Sequence, residues 1–220
     1  MAESTLRAMI EDSQPALVAS LAITDARWSR REALAELWLR YGRVMNLTAA
    51  RSIAELAPHI IEGMQVVDLV ASLGIREGAR WLDVGSGAGF PALIVAALSD
   101  VELTLIEPRE RRAAFLEVAL AQVGRRQRVL RGHLDESGWR PLGGERGTVE
   151  RGSFDVASAR AVFPPPRWLE IARGWVKPGG LVVAHLTREA PDVAGWSSSD
   201  LRNFDRWSVH AYRVGALAAD

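Results

Sequence analysis

From residue 79 onward, the sequence alternates short apolar runs with longer segments of helical periodicity. The apolar runs predict strands in RWLDVG, VELTLIEP, QRVLRG, FDVASARA and LVVAHL. Strands that alternate with helices at this spacing favour a Rossmann-like α/β fold, with a mostly parallel sheet and helices on both faces. Such sheets bind ligands at the carboxyl ends of their strands. A last strand is predicted in RWSVHAYRVG near the end of the chain.

Two periodic segments precede this region and predict helices. We therefore expect an N-terminal helical segment, residues 1–75, packed on the core of a sheet-forming domain, residues 76–220. In REALAELWLRYGRVMNLT the apolar residues recur every three or four positions. Ser52 and Glu55 have the spacing of a capping box at the start of the next helix, and Gly74 is placed to end it.

Composition and charge exclude several classes of protein. The chain has no cysteine, which excludes disulfides, thiolate metal sites and a cysteine nucleophile. It has 27 basic and 27 acidic residues, so no global positive field indicates a nucleic-acid partner, although a local basic patch is compatible with these counts. The N-terminus is of mixed charge and the apolar runs are short, so we expect a cytoplasmic protein with neither a membrane span nor a metal. Residues 135–152 hold five glycines and many charges, which predicts a long exposed loop.

The segment WLDVGSGAGFPA places Gly85, Gly87 and Gly89 in the turn after the first predicted strand. Glycines there allow positive φ angles and a close approach of backbone N–H groups to a ligand. A triphosphate site needs Gly-Lys-Ser/Thr at the end of the loop, and this loop ends in Gly-Phe-Pro, which excludes that ligand. A dinucleotide site needs its third glycine one position later, where this chain has Phe90.

Two acidic residues distinguish the remaining ligands. Glu107 ends the second predicted strand, where a carboxylate accepts hydrogen bonds from the ribose of either NAD or S-adenosylmethionine (SAM). Asp83 lies inside the turn, where it would repel a pyrophosphate but suits the ammonium group of SAM. The pattern therefore favours SAM over NAD. The alternative without a ligand is that Asp83 caps the following helix and the glycines only form a tight turn.

Methyl transfer from a sulfonium is an in-line displacement that depends mainly on positioning. The chain lacks the cysteine that pyrimidine C5 methylation requires. Its Phe163-Pro164-Pro165-Pro166-Arg167 segment lacks the amide and the aromatic residue of the turn typical of exocyclic-amine enzymes. An acceptor with a free lone pair, such as a purine ring nitrogen, needs no general base and fits the residues that are present.

Several motifs between residues 38 and 186 resemble, in the same order, those of the glucose-inhibited division protein B (RsmG) family, the guanine-N7 methyltransferases of small-subunit (16S) ribosomal RNA. The similar segments are WLRYGRVMNLTAARSIAELAPHII, LDVGSGAGFPALIVA, LIEPRERRAAFLEVA, RGHLDE and FDVASARAV. The most specific elements are Asn-Leu-Thr, the Phe-Pro after the last glycine, and the Arg-Ala after the fourth strand. The resemblance implies SAM as cofactor and ribosomal RNA or the small ribosomal subunit as partner.

The resemblance also implies roles for individual residues. Gly85 and Phe90 would line the SAM site, and Leu134 and Asp135 would contact the adenine side. Arg160 would face the methyl group and the acceptor base, where its planar fork can orient a guanine edge or a phosphate. The alternative is a surface arginine paired with Glu136 or Asp155.

Further residues are candidates for contact with the substrate. These are Asn46, Thr48 and His59. The alternative for Asn46 and Thr48 is that they only end the second helix, and the alternative for His59 is a histidine buried in the core. A group of arginines could form a phosphate-binding patch, or could lie on solvated helix faces. The group comprises Arg109, Arg111, Arg112, Arg125, Arg126, Arg128 and Arg131.

The chain departs from the family pattern at a few positions. It has Glu62-Gly63 where the family has Asp-Ser, and His133 where the family has Arg. It has Ala92-Leu93-Ile94 where the family has Gly-x-Pro, and His185 at the end of the fifth strand, where the family has Leu-Lys-Gly. Two other functions therefore stay open at this stage: a SAM-dependent methyltransferase for a small molecule or another RNA, and a non-catalytic SAM-binding module.

Overall fold

The computed structural model describes residues 5–124, 127–187, 198–204 and 207–215. Its strands are β1 (Arg80–Val84), β2 (Glu102–Ile106), β3 (Arg128–Leu130), β4 (Gly132–Asp135), β5 (Gly138–Pro141), β6 (Phe154–Ala159), β7 (Val176–Thr187), β8 (Ser198–Phe204) and β9 (Trp207–Arg213). Seven of them form one sheet in the order β3-β2-β1-β6-β7-β9-β8, and β4 and β5 form a separate antiparallel hairpin.

The sheet is mostly parallel, as the alternating sequence pattern predicts. β1 lies in its middle and pairs in parallel with β2 on one side and β6 on the other. β3 and β7 extend the parallel part outward, and β9 and β8 complete the sheet in antiparallel pairing. Since the strand order reverses beside β1, its carboxyl end is where a sheet of this type forms a ligand crevice.

The predicted N-terminal helices are confirmed and form four elements. They are α1 (Leu6–Ser13), α2 (Pro15–Ser20), α3 (Asp25–Tyr41) and α4 (Ile53–Ser72), and the crossover helices are α5 (Ala92–Leu98), α6 (Glu110–Gln122) and α7 (Pro165–Arg173). The Ser52 hydroxyl accepts a hydrogen bond from the Glu55 N–H and caps α4 as predicted. The Glu55 carboxylate, however, accepts from the N–H of Arg51 rather than that of Ser52. Within the described residues, no helix is both long and apolar enough to cross a membrane.

The N-terminal helices and the sheet share one hydrophobic core. Trp28 and Trp38 of α3 and Ile60 of α4 are buried in the same cluster as α5 and the inner face of the sheet. Helix α4 approaches α5 so closely that a Cβ added at Gly63 would lie 2.7 Å from the Cβ of Ile94. These two positions, which the sequence analysis interprets as departures from the family pattern, lie against each other. The small residue on α4 makes room for the larger one on α5. Helix α7 covers the opposite face of the sheet.

Two parts of the C-terminal half differ from the sequence-based expectation. Residues 135–152 are exposed or half-buried, as predicted, but the start of the segment is not a loop, because β4 and β5 pair there and the Trp139 indole donates a hydrogen bond to the carbonyl of Gly147. Trp139 packs over Gly132, where a Cβ would meet its ring at 2.4 Å, so aromatic packing holds the β4–β5 hairpin together, and residues 142–152 after it form neither helix nor strand. Strand β8 has a polar sequence without apolar alternation, and its pairing with β9 gives it strand structure.

One charged side chain is buried in α3. The guanidinium of Arg31 lies over the ring of Trp28, 3.7 Å from its centroid, and the residue is fully buried. None of its three nitrogens has a hydrogen-bond partner in the described part of the chain. Burial lowers the pKa of Arg31 to about 9, because the charged form loses its hydration.

We expect Arg31→Met to stabilise the protein. The substitution removes an unsatisfied buried cation, which costs about 1–3 kcal/mol, and keeps a long apolar side chain against Trp28. Urea unfolding should show a higher unfolding free energy for the variant. The control Arg40→Met lies on the exposed side of the same helix and should change stability by less than about 0.5 kcal/mol. A large loss of stability in Arg31→Met would show that the buried guanidinium stabilises the fold.

Candidate functional site

A cavity of about 1090 Å³ opens at the carboxyl ends of the parallel strands, beside the switch point at β1. Most of the residues predicted to bind cofactor or substrate line it. They are Thr48, His59, Gly85, Gly87, Phe90, Glu107, Leu134, Asp135 and Arg160. Three other predicted residues, Asn46, Asp83 and Gly89, are not among its lining residues. The cavity therefore brings together residues from α4, the glycine loop, β2, β4 and the end of β6.

The glycine loop requires its glycines for conformational reasons. Gly85, Gly87 and Gly89 have φ angles of 71°, 56° and 88°, in the left-handed region that side chains disfavour. A Cβ at Gly85 would also lie 2.3 Å from Val162 Cγ2. Gly85 and Gly87 line the cavity, and the Val162 side chain packs against Gly85 in the space that a Cβ would occupy.

Glu107 holds the loop in place from the neighbouring strand. One carboxylate oxygen accepts a hydrogen bond from the Gly87 N–H at 2.8 Å, and the other accepts from the Arg109 N–H at 2.8 Å. The residue is buried but lines the cavity. Each carboxylate oxygen has a second acceptor site, so Glu107 can also accept hydrogen bonds from two ligand hydroxyls.

Asp83 lies beneath the loop and not in the cavity wall. Its carboxylate accepts a hydrogen bond of 2.6 Å from the Ser158 hydroxyl, which in turn accepts from the Trp81 indole. Burial raises its pKa, and the hydrogen bond from Ser158 opposes that shift. Asp83 does not cap the next helix, since α5 begins after Pro91 without a side-chain cap. In this structure its direct role is to hold β1 to β6.

Phe90 connects the loop to the N-terminal helices. Its ring stacks on Trp38 of α3 with centroids 4.2 Å apart and lies 5.0 Å from the ring of His59 on α4. The Trp38 indole donates a hydrogen bond of 2.7 Å to the carbonyl of Ala88 inside the loop. The N-terminal segment therefore forms part of the site and shapes the glycine loop directly.

On the opposite side of the cavity, one carboxylate binds two cationic or potentially cationic groups. Arg160 Nη2 lies 2.8 Å from Glu62 Oε2, and His185 Nδ1 lies 2.7 Å from Glu62 Oε1. Arg160 also donates to His59 Nδ1 at 3.3 Å, which requires a lone pair on that nitrogen. We name Glu62, His185, Arg160 and His59 the acidic–basic cluster.

The partner of Arg160 differs from those expected from the sequence. Glu136 pairs with Arg167, and Asp155 pairs with Lys177, so neither is bound to Arg160. In the sequence, Glu62 and His185 stand out only as departures from the family pattern. Their occurrence at two non-family positions is the one signal in the sequence that they belong together.

The charges in this cluster determine its protonation. Burial opposes ionisation of Glu62, but the His185 imidazole and the nearby Arg160 charge together hold the pKa of Glu62 below its usual value. Burial lowers the pKa of His59, and the positive charge of Arg160 lowers it further. At neutral pH the cluster thus contains an ionised Glu62, a charged Arg160 and a neutral His59.

Among the other predicted residues that line the cavity, Asp135 and Thr48 already make hydrogen bonds within the protein. Asp135 accepts hydrogen bonds from Ser137 and a two-pronged contact from Arg140, which hold its pKa well below its usual range. Leu134 beside it is buried and gives the cavity an apolar surface. The Thr48 hydroxyl accepts from the Ala50 N–H.

Asn46 lies outside the cavity wall. It follows α3 with a positive φ of 51°, and its carbonyl accepts from Arg112. Its substrate contact therefore stays a prediction, as does that of Thr48.

The arginine group divides into different environments. Arg109 and Arg112 line the cavity, and Arg111 is exposed beside them. Arg131 pairs with Glu110, and Arg128 donates to the carbonyl of Thr148. Arg125 and Arg126 lie outside the described residues.

We expect Glu62→Gln to destabilise the protein in a pH-dependent manner. The pKa of Glu62 is lower in the folded protein than its usual value of 4.5. Such a carboxyl group stabilises the fold at a pH above its pKa in the unfolded chain, and this contribution is lost as the pH falls through its pKa in the folded protein. At pH 7 the variant should lose about 1–3 kcal/mol of unfolding free energy, because His185 and Arg160 lose an ionised partner.

Urea unfolding between pH 7 and pH 3 measures this effect, and the two stability curves should converge in acid. Glu117→Gln on the exposed face of α6 is the matched control and should follow the wild type throughout. A constant difference between Glu62→Gln and wild type at every pH would show that Glu62 acts only through packing.

The sequence is similar to those of one protein family and of several of its members. A model of the rRNA small subunit methyltransferase G family (GidB) matches residues 29–192. Over 217 residues the chain is 31% identical to the ribosomal RNA small subunit methyltransferase G of Myxococcus xanthus, covering 97% of this chain and 94% of that protein. It is 39% identical over 128 residues to the protein of the same name from Frankia alni, a match that covers 55% of this chain and less than half, 46%, of that protein.

Solved structures show the same fold. The crystal structure of an RNA methyltransferase from Salinibacter ruber, in complex with S-adenosyl-L-homocysteine, superimposes with a TM-score of 0.52 at 17% identity, covering 70% of this chain and 94% of that one. The match to the family model spans most of the chain and includes the glycine loop, Glu107 and Arg160. This chain therefore belongs to the rRNA small subunit methyltransferase G (GidB) family.

Proposed function

We propose that this protein transfers a methyl group from SAM to N7 of a guanine in the 16S RNA of the small ribosomal subunit. The observation that carries the proposal is a single cavity with two different sides. One side is the glycine loop held by Glu107, and the other is the acidic–basic cluster around Arg160. The family to which the chain belongs supports this reaction class.

The residues on the first side fit SAM. A Cβ at Gly85 would collide with Val162, so this part of the cavity wall, formed by Gly85 and Gly87, admits no side chain of its own. Glu107 has free acceptor capacity for the two ribose hydroxyls, and Leu134 and Ile106 offer apolar surface to the adenine. Bound SAM supplies an electrophilic methyl group on a sulfonium, which needs no phosphate-binding group.

The residues on the second side fit a purine acceptor. Nitrogen N7 of guanine attacks with its own lone pair, so no residue has to remove a proton, and the task of the site is to align the base with the methyl group. Arg160 Nη2 is used by Glu62 and His59, and the other guanidinium N–H groups can reach the guanine O6 or a phosphate. The chain's net charge is zero, so the RNA would be attracted locally, by Arg109 and Arg112 in the cavity wall.

In this proposal residues 76–220 form the methyltransferase domain, and residues 1–75 support it by packing Trp38 and His59 against the loop. A ribosomal substrate implies a cytoplasmic location.

A second candidate function is methylation of a different acceptor on the same scaffold. The pairing of Glu62 with His185, two residues that differ from the family pattern, favours it.

The reaction can be tested on ribosomes that lack the methyl mark. Small subunits and naked 16S RNA from a strain without its own enzyme are incubated with the purified protein and labelled SAM, and the product is mapped at nucleotide resolution. We expect one N7-methylguanine. Binding of SAM without a methylated guanine would contradict the RNA assignment and favour the second candidate.

We also expect Gly85→Ala to weaken SAM binding at least about tenfold, since it combines a positive φ with a collision against Val162. Gly78→Ala is the matched control, because Gly78 has a φ of 78°, precedes β1 at the far end of the sheet and has open space around it. Calorimetric titration measures both affinities. Equal affinities in the two variants would indicate that the loop does not contact the cofactor.

A further inference from the structure

One large aromatic side chain at the mouth of the cavity is exposed. Trp207 begins β9 and is 45% exposed, whereas Trp28, Trp38, Trp81, Trp168 and Trp175 are at most 2% exposed. It is also one of the residues that line the cavity. Because this exposed indole lines the cavity, its face is available to a ligand bound there.

The register of the sheet determines where this indole lies. Trp207 pairs with Thr187, and two positions further on Val209 pairs with His185 of the acidic–basic cluster. Residues two apart on a strand share a face, so Trp207 lies on the same face as Val209 and Ala211, which are fully buried. The row Ala211–Val209–Trp207 therefore continues the core outward to the cavity mouth, directly beyond His185.

A second exposed apolar side chain lines the cavity from the segment that follows β6. Val162 follows β6, is 41% exposed and covers Gly85, where a Cβ would meet its Cγ2 at 2.3 Å. It is two residues after Arg160, and Trp207 is beyond His185, so both apolar groups flank the polar groups of the cluster. A flat aromatic surface, an apolar side chain and polar groups between them are the components of a nucleobase pocket.

We propose that Trp207 is the stacking surface for the acceptor guanine, holding the base flat while its edge faces Arg160 and the cofactor side of the cavity. This proposal rests on the proposed function and identifies the residue that positions its substrate. A nucleobase fits better than an aliphatic partner, because Arg109 and Arg112 in the same wall supply positive charge for the attached phosphates.

Kinetics with the ribosomal RNA substrate test the proposal. Base–aromatic stacking is worth roughly 5- to 100-fold in affinity, so Trp207→Ala should lower kcat/KM by about that factor, while Trp207→Phe should restore most of it. The affinity for SAM should stay within about twofold in both variants, which also shows that they are folded. Leu201→Ala is the matched control, because Leu201 is a similarly exposed apolar residue on the adjacent strand β8 and does not line the cavity.

A fluorescence measurement tests stacking independently of catalysis. A short single-stranded RNA containing guanine should quench the tryptophan emission of the wild type, and Trp207→Phe should lose most of that quenching while binding the RNA with similar affinity. An unchanged kcat/KM in Trp207→Ala, a loss that Phe does not restore, or equal quenching in wild type and Trp207→Phe would overturn the proposal. If the wild type methylates no guanine, the proposed function fails, and the quenching result alone decides the role of Trp207.

Discussion

The arrangement of the site depends on the carboxylate of Glu107. It joins the end of β2 to the glycine loop after β1 by accepting hydrogen bonds from two backbone N–H groups, those of Gly87 and Arg109. With three glycines at positive φ, the loop has little conformational preference of its own, and a fixed acceptor selects one conformation. Trp38 supports the same loop from the N-terminal side through its hydrogen bond to Ala88 and its contact with Phe90. Helix α3, which precedes the sheet in sequence, therefore contributes directly to the shape of the site.

Four of the residues that we interpret as departures from the family pattern form two contacting pairs. Glu62 and His185 bind each other through 2.7 Å, and Gly63 lies against Ile94, where a Cβ would not fit. A buried carboxylate is tolerated when a hydrogen-bonding partner compensates its lost hydration, and a larger side chain on α5 is tolerated when α4 carries a glycine. In each pair, one residue thus meets the requirement that the other creates, a hydrogen-bonding partner in the first pair and space in the second. We therefore interpret the two pairs as local adjustments, which leave the contacts of Glu107 with the glycine loop unaffected.

The sequence predicts the parts of this structure that depend on local patterns. The parallel strands, the helices between them, the Ser52 cap and the last strand follow from periodicity and turn residues. Features decided by distant contacts do not follow from such patterns. Trp139 holds the hairpin at the start of segment 135–152, and the partner of Arg160 is Glu62 rather than Glu136 or Asp155. The pattern around Asp83 could not show that Ser158, on another strand, would take its carboxylate out of the cavity wall.

Whether Glu107 and the glycine loop form a site for SAM is tested most directly by calorimetric titration. SAM and NAD are titrated side by side into the wild type and into Glu107→Gln, whose amide oxygen replaces only one of the two backbone-accepting oxygens. We expect SAM binding to the wild type, no measurable heat with NAD, and at least about tenfold weaker SAM binding in the variant, corresponding to the loss of a hydrogen bond to a charged group. NAD binding as tight as that of SAM, or an unchanged SAM affinity in Glu107→Gln, would contradict a SAM site built on Glu107.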